Sequence, residues 1–319
     1  MGSSRLKIVV FFFIPVLILF VIGMVFGPLG SSFFGKEPPS ILNIPKPHVA
    51  LPAEPVFHVG HFSITNTLIA SWFTILVLAG VSIFLTRKMK LIPGKRQGLA
   101  EVVVEGLLNF VEGIAGKKHA RMLFSGVATI FIYVISNAYL ALLPFFGTIG
   151  IHGHGGEHGG EFAAIFRAAN TDVNVPLSIA LMSFFFVESW GMRAVGASHY
   201  ISGFINVRQL VQGLKEIFTG KIKTGPMNFI FGFINLFVGV LEIFSHLTRM
   251  LSFTFRLFGN MTAGEILILV SSFLIPLVFS IPFYGLELLI GMIQALIFSG
   301  LTLVFGTIAV TPHEEDSNE

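Results

Sequence analysis

The run SFTFRLFGNMTAGE, Ser252 to Glu265, sets Arg256, Asn260 and Glu265 inside an apolar stretch that extends from Leu251 to Val270. A guanidinium in hydrocarbon costs about 2.5 kcal/mol or more, so an ionisable residue at membrane depth faces a partner, a cavity or an ion path. Arg256 is therefore the starting point for a functional reading.

The chain around this run is membrane-embedded throughout. Hydrophobic residues make up 54% of the 319 residues, Phe occurs 36 times and charged residues fall to 12%, against roughly 25% in a soluble domain. Mean hydropathy is +0.84. Length alone would allow two globular domains. Apolar runs long enough to cross about 30 Å of hydrocarbon recur from one end to the other, however, and make this one polytopic unit. With no Cys, disulfides, thiolate metal sites and Cys nucleophiles are excluded.

The formal charge of +3 becomes informative through its distribution. The first apolar run, Ile8 to Phe26, follows Arg5 and Lys7; the second, Thr65 to Leu85, ends at Arg87, Lys88, Lys90, Lys95 and Arg96. The positive-inside bias makes both flanks cytoplasmic, so the chain goes out and returns. A third span, Phe124 to Phe146, leaves from Lys117, Lys118 and Arg121. A fourth, Val175 to Trp190, returns to Arg193, Arg208, Lys215, Lys221 and Lys223. From Phe229 to Val310 hydropathy allows two long helices or three shorter ones, because Pro276 and Pro282 interrupt the run.

The first run competes with a cleaved signal peptide, but its apolar core of about twenty residues exceeds the 7 to 15 typical of such a region. A retained helix is the expectation. Between the second and third spans, Leu99, Val102, Val103, Leu107, Val111 and Ile114 recur near helical spacing with Glu101, Glu105 and Glu112 among them. This predicts an amphipathic helix at the cytoplasmic surface. The loop HGHGGEHGG, with His152, His154 and His158, has metal-binding residue types, but glycine spacing presets no geometry, and a solvated loop is expected. Gly35 to Pro55, with six prolines, reads as an extended connector.

Glu242, Ser245, His246, Arg249, Ser252, Arg256 and Asn260 follow spacings of three or four and form one helical stripe. Glu287 and Gln294, seven apart, share a face of the next helix. Interhelical hydrogen bonding explains isolated serines in such a stripe, but not an arginine with carboxylates on both sides. At 1.5 Å per residue Glu265 lies about 13 Å along the axis from Arg256, and Glu242 about 21 Å in the other direction. A turn near Pro276 would return Gln294 to about the level of Arg256 and put Glu287 about 10 Å outward, towards Glu265. The layout suits two aqueous half-paths meeting a cationic barrier.

These residues resemble subunit a of F-type ATP synthases, the stator of the membrane rotary motor. The resemblance rests on RLFGNMTAGE at Arg256 to Glu265, on Glu242 fourteen residues before Arg256, and on QALIF from Gln294. Upstream, PGKRQGLAE at Pro93 to Glu101, SNAYLALLPF at Ser136 to Phe145 and NTDVNVPLS at Asn170 to Ser178 are similar to that family's pattern. It covers the chain from about Val59 onward. The resemblance implies an all-α polytopic fold of about six membrane helices, ending in a long C-terminal hairpin, residues 227–311, packed against a ring of c subunits. With it, two long helices replace three, and both termini are expected in the cytoplasm of a bacterial cell.

It further implies a proton path split into two offset half-channels that serve carboxylates on the c ring. Arg256 matches the family arginine facing those carboxylates. Glu265 and Glu287 match outer half-channel positions, although some relatives carry His in place of Glu287. Asn260 and Gln294 match polar positions near the arginine, Glu242 one of the inner path, and Asp172 and Asn174 a motif near the outer entry. Arg stays protonated in proteins and cannot relay a proton, yet it attracts a deprotonated carboxylate by about 4 kcal/mol at 4 Å for an effective dielectric of 20. It thus separates the half-channels.

The resemblance implies a c ring, a b-subunit peripheral stalk, the other synthase subunits and membrane lipid as partners, with no nucleic acid, cofactor or metal, and no catalysis by the chain alone. The expected division is an N-terminal helix at 1–30, a connector at 31–62, the core at 63–312 and an acidic tail at 313–319. A secondary transporter using Arg256 as an anion site is the alternative. It would show internal repeats and broken helices in both halves, and the halves are not self-similar. An intramembrane enzyme is weaker still, because no Ser-His-Asp set or metal triad is placed on facing helices.

Overall fold

A computed structural model describes residues 2–35, 52–60, 62–152, 162–196, 211, 214–215 and 225–311. Among them are seven α-helices: α1 (Gly2–Phe26), α2 (Pro28–Phe34), α3 (Asn66–Thr86), α4 (Lys95–Ala141), α5 (Asn174–Val195), α6 (Gly225–Leu274) and α7 (Ile281–Val310). Five of these, α3 to α7, are long and apolar enough to cross a membrane, and the sixth expected span, α1, carries a shorter apolar stretch, Phe13–Phe26. The chain is an all-α polytopic membrane protein.

The last third forms two long helices. Pro276 lies in the turn after α6, where Leu277 takes φ 85°, and Pro282 is the second residue of α7, a position where no intrahelical N–H bond is lost. A helix is present where the surface helix is expected, and it continues into the third span. α4 runs 47 residues and is broken only at Gly116, φ 71° and ψ 159°, a conformation that glycine adopts without a Cβ clash.

Two pairs of short strands, not foreseen from sequence, order the remaining loops. β1 (Pro55–Val59) pairs antiparallel with β2 (Phe62–Thr65), and β3 (Gly150–His152) with β4 (Phe162–Ala164). β3 and β4 bracket the histidine-rich loop. His154 and His158, most of the proline-rich connector and the acidic tail lie outside the described residues.

The chain divides into two compact units. One comprises Met1–Leu78, Tyr133–Val175 and Leu257–Gln294; the other comprises Ala79–Ile132, Pro176–Arg256 and Ala295–Glu319. In the first unit α1 sits directly on the turn after α6. A Cβ at Gly23 would overlap the carbonyl oxygen of Pro276, one at Gly27 would fall 2.6 Å from Pro276 Cδ, and Phe20 meets Phe279 with ring centroids 6.0 Å apart. Phe73, Phe145, Phe146 and Phe166 form an aromatic cluster in the same unit.

The second unit is built around Trp190 of α5, with Val111, Leu123, Val127, Val187 and Leu303 buried about it. Glycines admit the indole from both sides: a Cβ at Gly126 of α4 would lie 2.7 Å from the ring, and one at Gly306 of α7 would lie 2.8 Å from it. Small residues at such crossings let membrane helices approach closely, where packing replaces the hydrophobic drive that lipid does not supply.

Candidate functional site

The first unit holds a cavity of about 350 Å³ lined by Arg167, Glu265, Ser272, Tyr284 and Glu287, with apolar walls from the end of α4. At about 30 Å³ per water this is room for on the order of ten waters. Sequence spacing had put Glu265 and Glu287 on neighbouring helices at similar depth, and the structure brings both to this cavity. They are held differently.

Glu265 is paired. Arg167 Nε donates to both carboxylate oxygens at 3.3 Å, and Arg167 Nη1 donates to the carbonyl of Pro52 at 3.2 Å, so one guanidinium joins the connector before β1 to a carboxylate of α6. Glu287 is buried, 5% exposed, and makes no hydrogen bond or ion pair to the described residues. Its carboxylate lies against Gly264, where any Cβ would collide with it. An intramembrane carboxylate of this kind, beside a cavity and without a partner among the described residues, is a candidate functional position.

One and a half turns before Glu265 on α6, Asn260 Nδ2 donates to Gln294 Oε1 of α7 at 3.1 Å. The amide nitrogen of Gln294 is buried without a partner among the described residues. A second polar group runs along α3. Thr67 Oγ1 donates to Asp172 Oδ2 at 3.0 Å, Ser71 shares a 2.6 Å hydrogen bond with the Tyr133 hydroxyl, and Thr74 donates to Asn137 Oδ1 at 3.3 Å. Asn137 passes the chain on to Asn170 Oδ1 at 3.1 Å, joining the SNAYLALLPF and NTDVNVPLS motifs. Asp172 Oδ1 accepts from the backbone and side-chain nitrogens of Asn174, at 3.0 and 2.9 Å, and so satisfies an orphan donor at the start of α5.

In the second unit the polar stripe of α6 divides. His246 Nδ1 pairs with Glu188 Oε1 of α5 at 3.3 Å and packs edge-on to Phe184, and the Arg249 guanidinium lies 3.4 Å from the Phe305 ring centroid of α7. These two are turned into the protein. Glu242, Ser245, Ser252 and Arg256 are exposed, as is Asn260 further along the same helix. Arg256 makes no hydrogen bond or ion pair to the described residues.

Arg167, Tyr284, Glu188 and the α3 residues Thr67, Ser71 and Thr74 were not singled out from sequence, though all but Tyr284 left a signal. Arg167 is a lone basic residue in a loop read as outer, where such residues are depleted. Glu188 interrupts an apolar span. Thr67, Ser71 and Thr74 follow helical spacing of four and three.

The family model for the ATP synthase A chain matches residues 68–307. The chain belongs to the ATP synthase A chain family, the subunit a of F-type ATP synthases. It is 28% identical to ATP synthase subunit a 2 of a Bradyrhizobium species over 255 residues, 80% of this chain and 93% of that protein. It is 31% identical to ATP synthase subunit a of Gloeobacter violaceus over 250 residues, 78% of this chain and 85% of that one. With subunit a of Solidesulfovibrio magneticus the identity is 29% over 250 residues, 78% and 85%. Membership makes the chain a membrane component of an ATP synthase whose partners are the other subunits. The match leaves out α1, α2 and the first strand pair, so the segment seated on the α6 turn lies before the family-matched part of this subunit a.

Proposed function

We propose that this chain is the proton-conducting stator subunit of the Fo motor. It offers two offset half-channels to carboxylates on a c-subunit ring, and Arg256 is the barrier between them. The observation that carries the reading is Arg256 itself: a permanently charged side chain on a membrane-spanning helix, exposed on the surface of this chain and without a hydrogen-bond or ion-pair partner among the described residues. Exposure to lipid would cost several kcal/mol. An anionic partner outside the chain removes that cost, and ring carboxylates passing one at a time supply it while the ring turns.

The cavity holding Glu265 and Glu287 supports the outer half-channel, with Asp172 and Asn174 near its entry. Exposed Glu242 supports the inner one, and Asn260 with Gln294 orders the polar surroundings of the barrier. The chain performs no chemistry on ATP. It converts the membrane potential, about 2.3 kcal/mol per charge per 100 mV, into the movement of protonated ring sites. A b-subunit stalk holds it against the reaction torque. In this reading both termini face the cytoplasm of a bacterial inner membrane, and the core at 63–312, with its hairpin 227–311, does the work.

The test replaces Arg256. Arg256→Ala removes the barrier and Arg256→Lys supplies a charge that can be lost in an apolar site and lacks the planar fork. Both should abolish ATP synthesis driven by a proton gradient in vesicles. Synthesis near the wild-type rate with either variant would take Arg256 out of the mechanism.

A further inference from the structure

The end of α3, the segment after it and the first turn of α4 border an open surface cavity of about 910 Å³ in the second unit. Five cationic residues line it, Arg87, Lys88, Lys90, Lys95 and Arg96, and among the described residues no carboxylate does. Its backbone frame is held by specific contacts. Gln97 accepts from the Lys90 backbone N–H at 2.9 Å and donates to the Lys90 carbonyl at 2.8 Å, closing the segment into a ring. The same amide nitrogen also donates to Glu101, which occupies the nearest carboxylate of that turn. Arg96 is carried across the cavity onto the Phe84 ring, 4.7 Å from its centroid, so one wall joins to the other through a cation–π contact.

We propose that this cavity binds the phosphate of an anionic phospholipid headgroup. Three observations favour a lipid over other anions. The 21 residues of α3 rise about 31 Å, the thickness of the hydrocarbon core, so the cations that follow Leu85 stand at headgroup level. The wall below them is apolar and exposed, with Ile83 61% and Phe84 60% accessible, and suits the first carbons of an acyl chain. The segment between the cations carries Met89, Leu91 and Ile92 at 60%, 105% and 85% exposure, apolar side chains that a membrane interface shelters and bulk water does not. A guanidinium fork and several ammonium groups match phosphate oxygens, and basic pockets at this level bind anionic headgroups. None of the residues lining the cavity belongs to the proposed proton path, and the proposal does not depend on that mechanism.

The experiment uses the full-length chain in the complex that mild detergent extracts, stripped of lipid and then given phosphatidylglycerol, cardiolipin, phosphatidylcholine or inorganic phosphate, with bound lipid read by native mass spectrometry. Phosphatidylglycerol and cardiolipin should bind and phosphatidylcholine should not, and inorganic phosphate at equal concentration should leave them in place. Each charge removed should weaken binding about fivefold, so Lys88→Gln, Lys90→Gln and Arg96→Gln together should lose roughly a hundredfold. The variant Lys88→Arg with Lys90→Arg keeps charge and fold and should bind as the parent does. Equal retention of phosphatidylcholine, displacement by inorganic phosphate, or unchanged binding in the triple variant would each overturn the proposal. So would loss of another subunit from the complex with lipid retained, which would assign the site to an acidic protein segment.

Discussion

Glu287 rests its carboxylate on the bare backbone of Gly264, so the residue before Glu265 is a glycine because its neighbour across the hairpin needs the space. Of the two cavity carboxylates, the buried one is thus positioned by an absent side chain, and the other by Arg167.

Gly264→Ala should therefore displace Glu287, at a cost of about 1–3 kcal/mol for overpacking. We expect proton pumping driven by ATP hydrolysis, followed by dye quenching in inverted vesicles, to fall sharply. Glu287→Asp, one methylene shorter, should restore part of it. If the alanine variant pumped normally, the close approach would be irrelevant to the path.

The Arg167–Glu265 pair predicts non-additivity. Removing either partner leaves the other charge beside the cavity without its counter-ion, a loss of about 1.5–3 kcal/mol for hydrogen bonds to charged groups. The double variant Arg167→Gln with Glu265→Gln should then be less destabilised in a thermal melt than the sum of the singles, as for residues in contact. Arg167→Lys should recover charge but not the two-oxygen grip. Simple additivity would show that the pair contributes nothing as a pair.

Single cysteines in this Cys-free chain separate the two half-channels. A Cys at Glu265 or Glu287 should react with a water-soluble thiol reagent from the periplasmic side, and one at Glu242 or Glu315 from the cytoplasmic side. Labelling of positions 242 and 265 from the same face would replace two half-channels with one continuous pore.

Gly306→Ala tests the second unit alone. The added methyl meets the Trp190 ring, so the solubilised protein should lose about 1–3 kcal/mol, read as a lower melting temperature, while Trp190→Phe in the same chain should recover part of the loss. An unchanged melt would mean that the indole is free to move.

Much of this was legible because helical spacing carries it. Arg256, Asn260 and Glu265 lie on one helix in the expected order, and the hairpin reading brought Glu287 to Glu265 and Gln294 to Asn260. Partners far apart in sequence were not legible. Arg167 and Glu265 are 98 residues apart, and only the fold joins them. Spacing also put His246 and Arg249 on the same stripe as Arg256 but could not show that α5 and α7 cover that part of it. The strand pairs escaped because three to five residues are too few for a periodic pattern.

The seat of α1 on the turn between the two long helices also bears on stiffness. A loop with two prolines nearby and a leucine at positive φ would by itself be a place to bend, and any load applied along α6 or α7 would be dissipated there. With Gly23 and Gly27 pressed against Pro276, such a load passes instead into a helix outside the family-matched region. An external brace of this kind would depend on the bare backbone at Gly23 and Gly27, which sets how closely the apex of the hairpin is held.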